Sequence, residues 1–504
     1  MKNKVIIIGG GLGGLFTGAI LAKEGVEVEV LEKNGTIGGG LQTFSRGGVS
    51  FETGMHLLGG FRPGGNIYRI CDYIGILDDL AVRHVDDDCI DEIHYLADGA
   101  TYNIARGPEG FVDSLAARFP AERQGLSDYV AHLYRIANRV DLFYLRPSSD
   151  SVTAHGDDFF MAADELIAMY VRDPRLRDIL GYMNPMYAGV RGHTPAYIHA
   201  LINVLYINGP SRFIDGGMQL ADALKRVITR AGGRVSHSTT VVGIDVDESR
   251  NITGVVDSKG EHHAASRYIS AIHPCALLDM LPAGALPKAY TSRLRSIPLT
   301  YSAFSLFIKL KERRFSYINH TCYCQDDYGC VWDYGAASHA RWPRGFMYMT
   351  PPHSADASPY AGTLIAVSPM GWDVVRQWEN TTHATRTPEY EMWKKCMAGR
   401  LIDKLSMLYP GFDGMIDTIH TASPLTIRDY YATPFGALYG FRKDCHDIML
   451  SQIPPVTKIR NLILTGQNIN LHGICGVPLT AVTTAEIILG RNYIINKIND
   501  KTRL

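Results

Sequence analysis

The chain carries almost no net charge: 50 basic residues stand against 51 acidic ones, a formal balance of -1. Binding a phosphate backbone needs a basic face, so nucleic acid is excluded as the main partner. Cysteine is sparse, nine in 504 residues, odd in number and without the spacing of a small disulfide framework. That usage predicts a reduced, cytoplasmic protein. Beyond the first two dozen residues no apolar run is long enough to span a bilayer. Tandem repeats and low-complexity linkers are also missing. The apolar share of 46% and charged share of 20% exclude a disordered chain, and the length allows two or more domains.

What is abundant is glycine, and it is dense at the start. MKNK followed by VIIIGGGLGGLFTGAILA has the basic start and apolar stretch of a secretory leader. Five glycines at positions 9–11 and 13–14 would break the helix such a leader needs. The segment reads instead as a buried strand (Val5–Ile8), a tight loop and a helix from about Leu12 to Glu24, followed by a strand over Val26–Leu31. We therefore expect no cleaved signal and no transmembrane helix.

Two compositional types alternate after that. From about Tyr68 to Asn208 apolar residues recur at helical spacing, as in LSDYVAHLYRIANRV. Residues 212–273 mix a helix (MQLADALKRVITRAG) with strand-like RVSHSTTVVGIDVD, ITGVVDS and RYISAI, the last two joined by a hairpin-like SKGE turn. Short strands dominate from Thr300 to Gly440, with one helix near Tyr390–Leu408; RNLILTGQ is a final strand, and a helix over Leu479–Leu489 closes the chain. The expected fold class is α/β: a discontinuous Rossmann-like parallel-sheet domain with an inserted α+β domain built on an antiparallel sheet. The expected boundaries are 1–67, 209–285 and 455–504 for the first, and 68–208 and 286–454 for the second.

Gly9, Gly11 and Gly14 form G-x-G-x-x-G between a strand and a helix, with Leu12 and Gly13 inside the loop. The glycines allow a tight turn, close backbone approach to a pyrophosphate and close helix–strand packing. The helix N-terminus then offers free N–H groups to the phosphates. Glu32 ends the second strand eighteen positions after Gly14, where a carboxylate accepts from ribose hydroxyls and disfavours a 2′-phosphate. Together these specify a dinucleotide, not yet which one.

The next segments carry a resemblance. NGTIGGGLQTF, with Gly38, Gly39, Gly40 and Leu41, and GVSFETGMH, with Met55 and His56, are similar to segments of the flavin amine oxidase and phytoene desaturase superfamily. GMHLLGG, RFPAERQGLSDYV, RFIDGGMQLADAL and SPLTIRDYYATPFGALYGF resemble the retinol saturase and carotenoid isomerase branch. The resemblance covers the whole chain and implies FAD. It implies cofactor contacts for Gly9, Gly11, Leu12, Gly13, Gly14, Glu32, Lys33, Gly38, Gly39, Gly40, Leu41, Met55 and His56. It further implies Val241 against the adenine, Gly466 and Gln467 near the ribityl–phosphate end, and Gly473, Ile474 and Gly476 near the flavin pyrimidine. Many relatives have arginine where Gly40 stands, which removes one guanidinium contact here. The implied activity is oxidoreduction of a carbon–carbon double bond in a hydrophobic isoprenoid, with desaturation or isomerisation, amine oxidation and non-catalytic lipid escort as rivals.

No second G-x-G-x-x-G follows a strand, so electrons are expected from or to an external partner of unspecified identity. His56 and His472 are the candidate proton-transfer groups; each is equally readable as a hydrogen bond to cofactor or backbone. Cys475 is expected to be an unlinked buried thiol. Cys322, Cys324 and Cys330 with His320 lack paired C-x2-C spacing, so packing rather than a metal is expected. Tyr430, Tyr431, Phe435, Tyr439 and Phe441 form either a substrate wall or one face of a half-buried sheet. A lipophilic substrate also implies peripheral membrane contact.

Overall fold

The computed structural model describes residues 4–148, 156–336, 339–353, 359–447 and 452–501. The first three residues, which carry part of the basic start, lie outside them. At the centre is a five-stranded parallel sheet in the order Arg234–Ser236, Glu27–Leu31, Lys4–Ile8, Arg267–Ser270 and Leu462–Leu464. The KVIII strand is central, which explains its unbroken apolar run: both faces are covered. The helix Leu12–Lys23 has no polar face either, being buried from Gly13 to Ala22. It lies against the helices Met218–Arg230 and Gly473–Leu489. Pairing of Ile8 with Leu31 brings Gly9 beside Glu32 at the carboxyl ends of the two strands.

The second sheet has seven strands, in the order Ile416–Ala422, Ser302–Leu310, Thr363–Met370, Gly345–Met349, Thr321–Gln325, Asp91–Tyr95 and Ala100–Ile104. Its period of two separates the faces. Phe304, Leu306, Phe346, Tyr348, Leu364 and Ala366 pack beneath the helix Pro388–Leu408. Ala303, Ser305, Met347, Val367 and Ala422 turn the other way, onto a cavity shared with the parallel sheet. This is an α/β fold with one parallel sheet, several antiparallel ones, and a single parallel pairing, Asp91–Tyr95 with Thr321–Gln325, inside the otherwise antiparallel seven-stranded sheet.

Three expectations change. The stretch 68–208 is not purely helical: Val82–His84, Asp91–Tyr95 and Ala100–Ile104 are strands. DEIHYLADGATYNI is an alternating hairpin whose strands are too short to disturb a helical window. The SKGE turn joins Ile252–Asp257 to His262–His263, an antiparallel pair, while Arg267–Ser270 belongs to the parallel sheet. The helix expected to close the chain begins at Gly473 rather than near Leu479, and a further helix, Tyr493–Lys501, follows it; Pro478 lies inside the first of these and cannot donate to the Ile474 carbonyl.

Among the described residues no single helix is long and apolar enough to cross a membrane, and the pair Gly473–Leu489 and Tyr493–Lys501 is bent by 118°.

Glycine packing yields a paired test. A Cβ on Gly14 would lie 2.0 Å from the Gly9 carbonyl oxygen, whereas one on Gly399 meets nothing within 4 Å. Gly14→Ala should therefore lose about 1–3 kcal/mol or more through overpacking. Gly399→Ala, inside the long helix, should gain roughly 0.5–1 kcal/mol. Thermal or urea denaturation of the two variants measures both signs.

Candidate active site

The loop after the first strand is made almost wholly of backbone. Gly9 adopts a φ of +105°, a region closed to most side chains. Gly38 donates its N–H to the Gly10 carbonyl at 2.8 Å, and Gly11 bridges to Gly38. A Cβ on Gly13 would come within 2.9 Å of the Gly466 Cα. Three chain segments thus meet with no room for side chains, leaving bare N–H groups facing a cavity of about 420 Å³.

Glu32 is buried and accepts from the Gly10 and Asn34 N–H groups, each at 2.8 Å. A carboxylate has roughly four acceptor positions, so capacity remains for a ribose. Lys33 donates to the Asp429 carbonyl at 2.8 Å, and burial lowers its pKa. The cavity is lined by Gly9, Gly11, Leu12, Gly13, Glu32, Lys33, Gly38, Gly39, Gly40, Leu41, Met55, His56, Val241, Gly466, Gln467, His472, Gly473 and Ile474. Gly14 and Gly476 are not on its wall. Gly14 sits under the Gly9 carbonyl, and Gly476 is pressed against Leu471; both are packing glycines.

His56 is held at both ring nitrogens. Nδ1 lies 2.9 Å from Glu52 Oε1 and Nε2 lies 2.7 Å from the Gly40 carbonyl. Two acceptors favour the doubly protonated ring. Burial opposes that charge, but the Glu52 carboxylate and the Gly40 carbonyl outweigh it and hold His56 above the usual histidine range. Glu52 also accepts the Gly217 N–H at 2.7 Å. This geometry fits the hydrogen-bonding reading of His56, since neither N–H is left to give.

His472 is different. It immediately precedes the Gly473–Leu489 helix, and its ring lies 4.8 Å from that of Tyr439. Burial, assisted by the nearby Lys443 charge, pushes its pKa down to about 4. It is neutral, with Nε2 lacking a protein partner among the described residues. The first N–H groups of this helix have no intrahelical acceptor, and Gly473 and Ile474 line the cavity. They provide a positive end suited to a developing negative charge.

Away from the glycines the cavity is lined by Met186, Ile202, Tyr206, Tyr301, Met347, Val367 and Tyr439, among others, while Tyr431 stands beside Gly40. The expected aromatic wall is thus divided. Tyr431 and Tyr439 are in it, and Tyr430 stands at its edge, half exposed. Phe435 is exposed against Trp372, and Phe441 packs on His273 in a separate core. Tyr431 places its hydroxyl 3.2 Å from where a Cβ on Gly40 would sit. It occupies the space an arginine at that position would need.

A family model described as flavin containing amine oxidoreductase matches residues 12–321. The chain belongs to that family. It is similar to the all-trans-retinol 13,14-reductase of Rattus norvegicus, with 26% identity over 97% of this chain and 86% of that protein. It is also similar to prolycopene isomerase 2 of an Oncidium hybrid cultivar, with 24% identity over 86% of this chain and 74% of that one. In fold it matches an oxidoreductase from Methanosarcina mazei, with a TM-score of 0.64 and 19% identity over 96% of this chain and all of that one.

A flavin fits these residues. The glycine cradle brings bare backbone to the cavity, with a Cβ at Gly13 blocked by Gly466 and positive φ at Gly9, Gly38, Gly39 and Gly466, and the helix N-terminus at Gly473 lines the same cavity. Cys475 also lines the cavity, but its thiol donates to the Gly59 carbonyl at 3.2 Å, and burial pushes its pKa up to about 12. A protonated thiol is a poor nucleophile. Residues that sequence reasoning missed include Met186, Tyr206 and Tyr301, which reach the site only through tertiary packing, and Glu52, the partner of His56. Glu52 was visible in FETGMH, four residues before the histidine.

Two results should follow. Acid or heat denaturation should release the flavin unmodified into the supernatant, from wild type and Cys475→Ser alike. Because the folded pKa of His56 is raised above its ordinary 6.5, its imidazolium–Glu52 pair contributes fully below pH 6.5. That contribution is lost as pH rises through the folded pKa. The stability gap between wild type and Glu52→Gln, about 1.5–3 kcal/mol for a hydrogen bond between charged groups, should therefore shrink with rising pH in parallel melting curves.

Proposed function

We propose that the chain binds FAD and acts on a carbon–carbon double bond of a hydrophobic, isoprenoid-like polyene, in the saturating direction of the retinol reductases it resembles. The observation that supports this most is the character of the cavity's far end. Tyr206, Tyr301 and Tyr439 line it while spending their hydroxyls elsewhere, on Leu57 O, Asn184 Oδ1 and Pro185 O at 3.2, 3.2 and 3.1 Å. What remains for a ligand is ring surface, methionine and aliphatic carbon. Among the described residues the only carboxylate on the cavity wall is Glu32, at the opposite end. An ammonium group there would meet ring faces but no carboxylate, so an amine substrate would lack an ion-pair partner. A polyene gains about 25 cal/mol for each Å² buried.

In this reading residues 1–67, 209–285 and 455–504 hold FAD, while 68–208 and 286–454 form the substrate compartment. The Gly9–Gly14 loop takes the pyrophosphate, Glu32 the ribose and the Val241 backbone the adenine. The N–H groups at Gly473 and Ile474 face the flavin ring. Bound FAD supplies hydride transfer at its ring. Glu52 and His56 fix the Gly40 carbonyl, and the apolar walls keep water from the reacting carbons. Electrons pass to or from an external carrier. The lipophilic substrate is taken up during peripheral contact with a bilayer.

The test is an anaerobic single turnover of reduced enzyme with a retinol-type polyene, followed by mass analysis. Saturation gives a product heavier by two hydrogen atoms. A product lighter by two from the oxidised enzyme, or an isomer of equal mass, reassigns the site to desaturation or isomerisation. Hydrogen peroxide released with amines, without polyene turnover, overturns the proposal.

A further inference from the structure

The face of the seven-stranded sheet turned away from the cavity carries an unusual group of side chains. Asp91–Tyr95 and Thr321–Gln325 run side by side in parallel, with Glu92 opposite Cys322 and His94 opposite Cys324. Alternation places Glu92, His94 and Cys322 on one side of the sheet. One ligand-capable atom from each lies within 4.8 Å of the others. His94 Nε2 is 2.8 Å from Glu92 Oε1, and His320 Nε2 is 3.8 Å from that same oxygen. His94 Nδ1 is engaged by the Thr101 hydroxyl at 3.1 Å. That outer contact turns Nε2 into the group, as a hydrogen-bonded second nitrogen does for metal-ligating histidines.

We propose that Glu92, His94, Cys322 and His320 form a binding site for a divalent cation of the zinc type, clasping the Asp91–Tyr95 strand to the antiparallel sheet behind the cavity. The donors are one thiol sulfur, two imidazole nitrogens and one carboxylate, a set that suits a borderline-soft ion. A thiolate and a carboxylate together neutralise the double charge. Binding breaks the Cys322 S–H bond as the sulfur–metal bond forms, and the proton leaves to solvent; no electrons move. Without metal, burial keeps the Cys322 thiol protonated. Glu92 is already a carboxylate, held down to about 2 by hydrogen bonds first from His320 and then His94.

Access is open, since the side chains of Glu92, His94 and His320 are 22%, 13% and 20% exposed. Ligands at about 2.0–2.3 Å from one tetrahedral ion stand roughly 3.3–3.8 Å apart, so Glu92, His94 and Cys322, now within 4.8 Å of one another, and His320, 3.8 Å from Glu92, draw closer when the ion binds. Two other groupings are weaker. Asp444 is shared by His193 and Arg442, with His446 Nε2 facing the Gly192 carbonyl. Asp257 is occupied by the backbone N–H groups of its own turn.

The experiment is a titration of the chelator-treated flavoprotein with cobalt(II). One saturating equivalent is expected, with d–d bands to the red of flavin absorption that disappear on adding zinc. Cys322→Ser should abolish the sulfur-to-cobalt charge-transfer band. Because Cys322 is buried, the partly exposed His94→Gln and His320→Gln serve as second variants; each should weaken binding more than about tenfold with the flavin spectrum unchanged. Absence of a saturable cobalt spectrum in the wild type overturns the site. So does cobalt binding that is unaltered in both histidine variants.

Discussion

Everything at this site depends on bare backbone from three distant stretches of chain meeting in van der Waals contact. Gly11 and Gly13 from the first loop, Gly38 and Gly39 from the segment after Glu32, and Gly466 after the last parallel strand close on one another. A side chain at Gly13 would push into Gly466, and Gly38, Gly39 and Gly466 hold positive φ values that side chains rarely adopt. The parallel register makes the meeting possible, because it ends the strands Lys4–Ile8, Glu27–Leu31, Arg267–Ser270 and Leu462–Leu464 at one edge of the sheet. The N–H groups that would otherwise carry a desolvation penalty are thereby aimed at a ligand.

Around this edge the protein separates charge from apolar surface. Glu32, Lys33 and the ion pair of Glu52 with His56 occupy the end where the glycines converge. The other end is a compartment of aromatic, methionine and aliphatic side chains on one face of the seven-stranded sheet. The two histidines of the site show how local partners decide chemistry. His56 faces a carboxylate and a carbonyl that raise its pKa against the pull of burial; His472 is buried beside Tyr439 and the Lys443 charge, which push its pKa down to about 4. Identical side chains near one cavity are thus shifted in opposite directions.

The dinucleotide loop, its strand–helix–strand frame and the acidic partner were legible because each rests on contacts within forty residues. The inserted segment was less so. The hairpin Asp91–Ile104 was hidden in a stretch whose helical periods dominate, and its place in the large sheet comes from pairing with Thr321–Gln325, more than two hundred residues on. The aromatic cluster before the C-terminal motif was visible as composition only. Backbone turns at Ala432 and Phe435, both with positive φ, send Tyr431 inward and Phe435 outward.

Sequence alone determined the glycine loop and its acidic partner, the pattern of a dinucleotide site, since that spacing reflects sterics and hydrogen bonding that no distant residue can replace. Motif resemblance then pointed to a flavin, and the family match bears this out. Tertiary structure decided what stands around that loop: which glycines face the cavity and which only pack, that Glu52 claims His56, and that Tyr431 packs beside Gly40. It also brought Glu92 and His94 beside Cys322. The reason is physical. A loop closed over a few residues is specified by local geometry, whereas the walls of a cavity are set by strand pairings whose partners lie hundreds of residues apart.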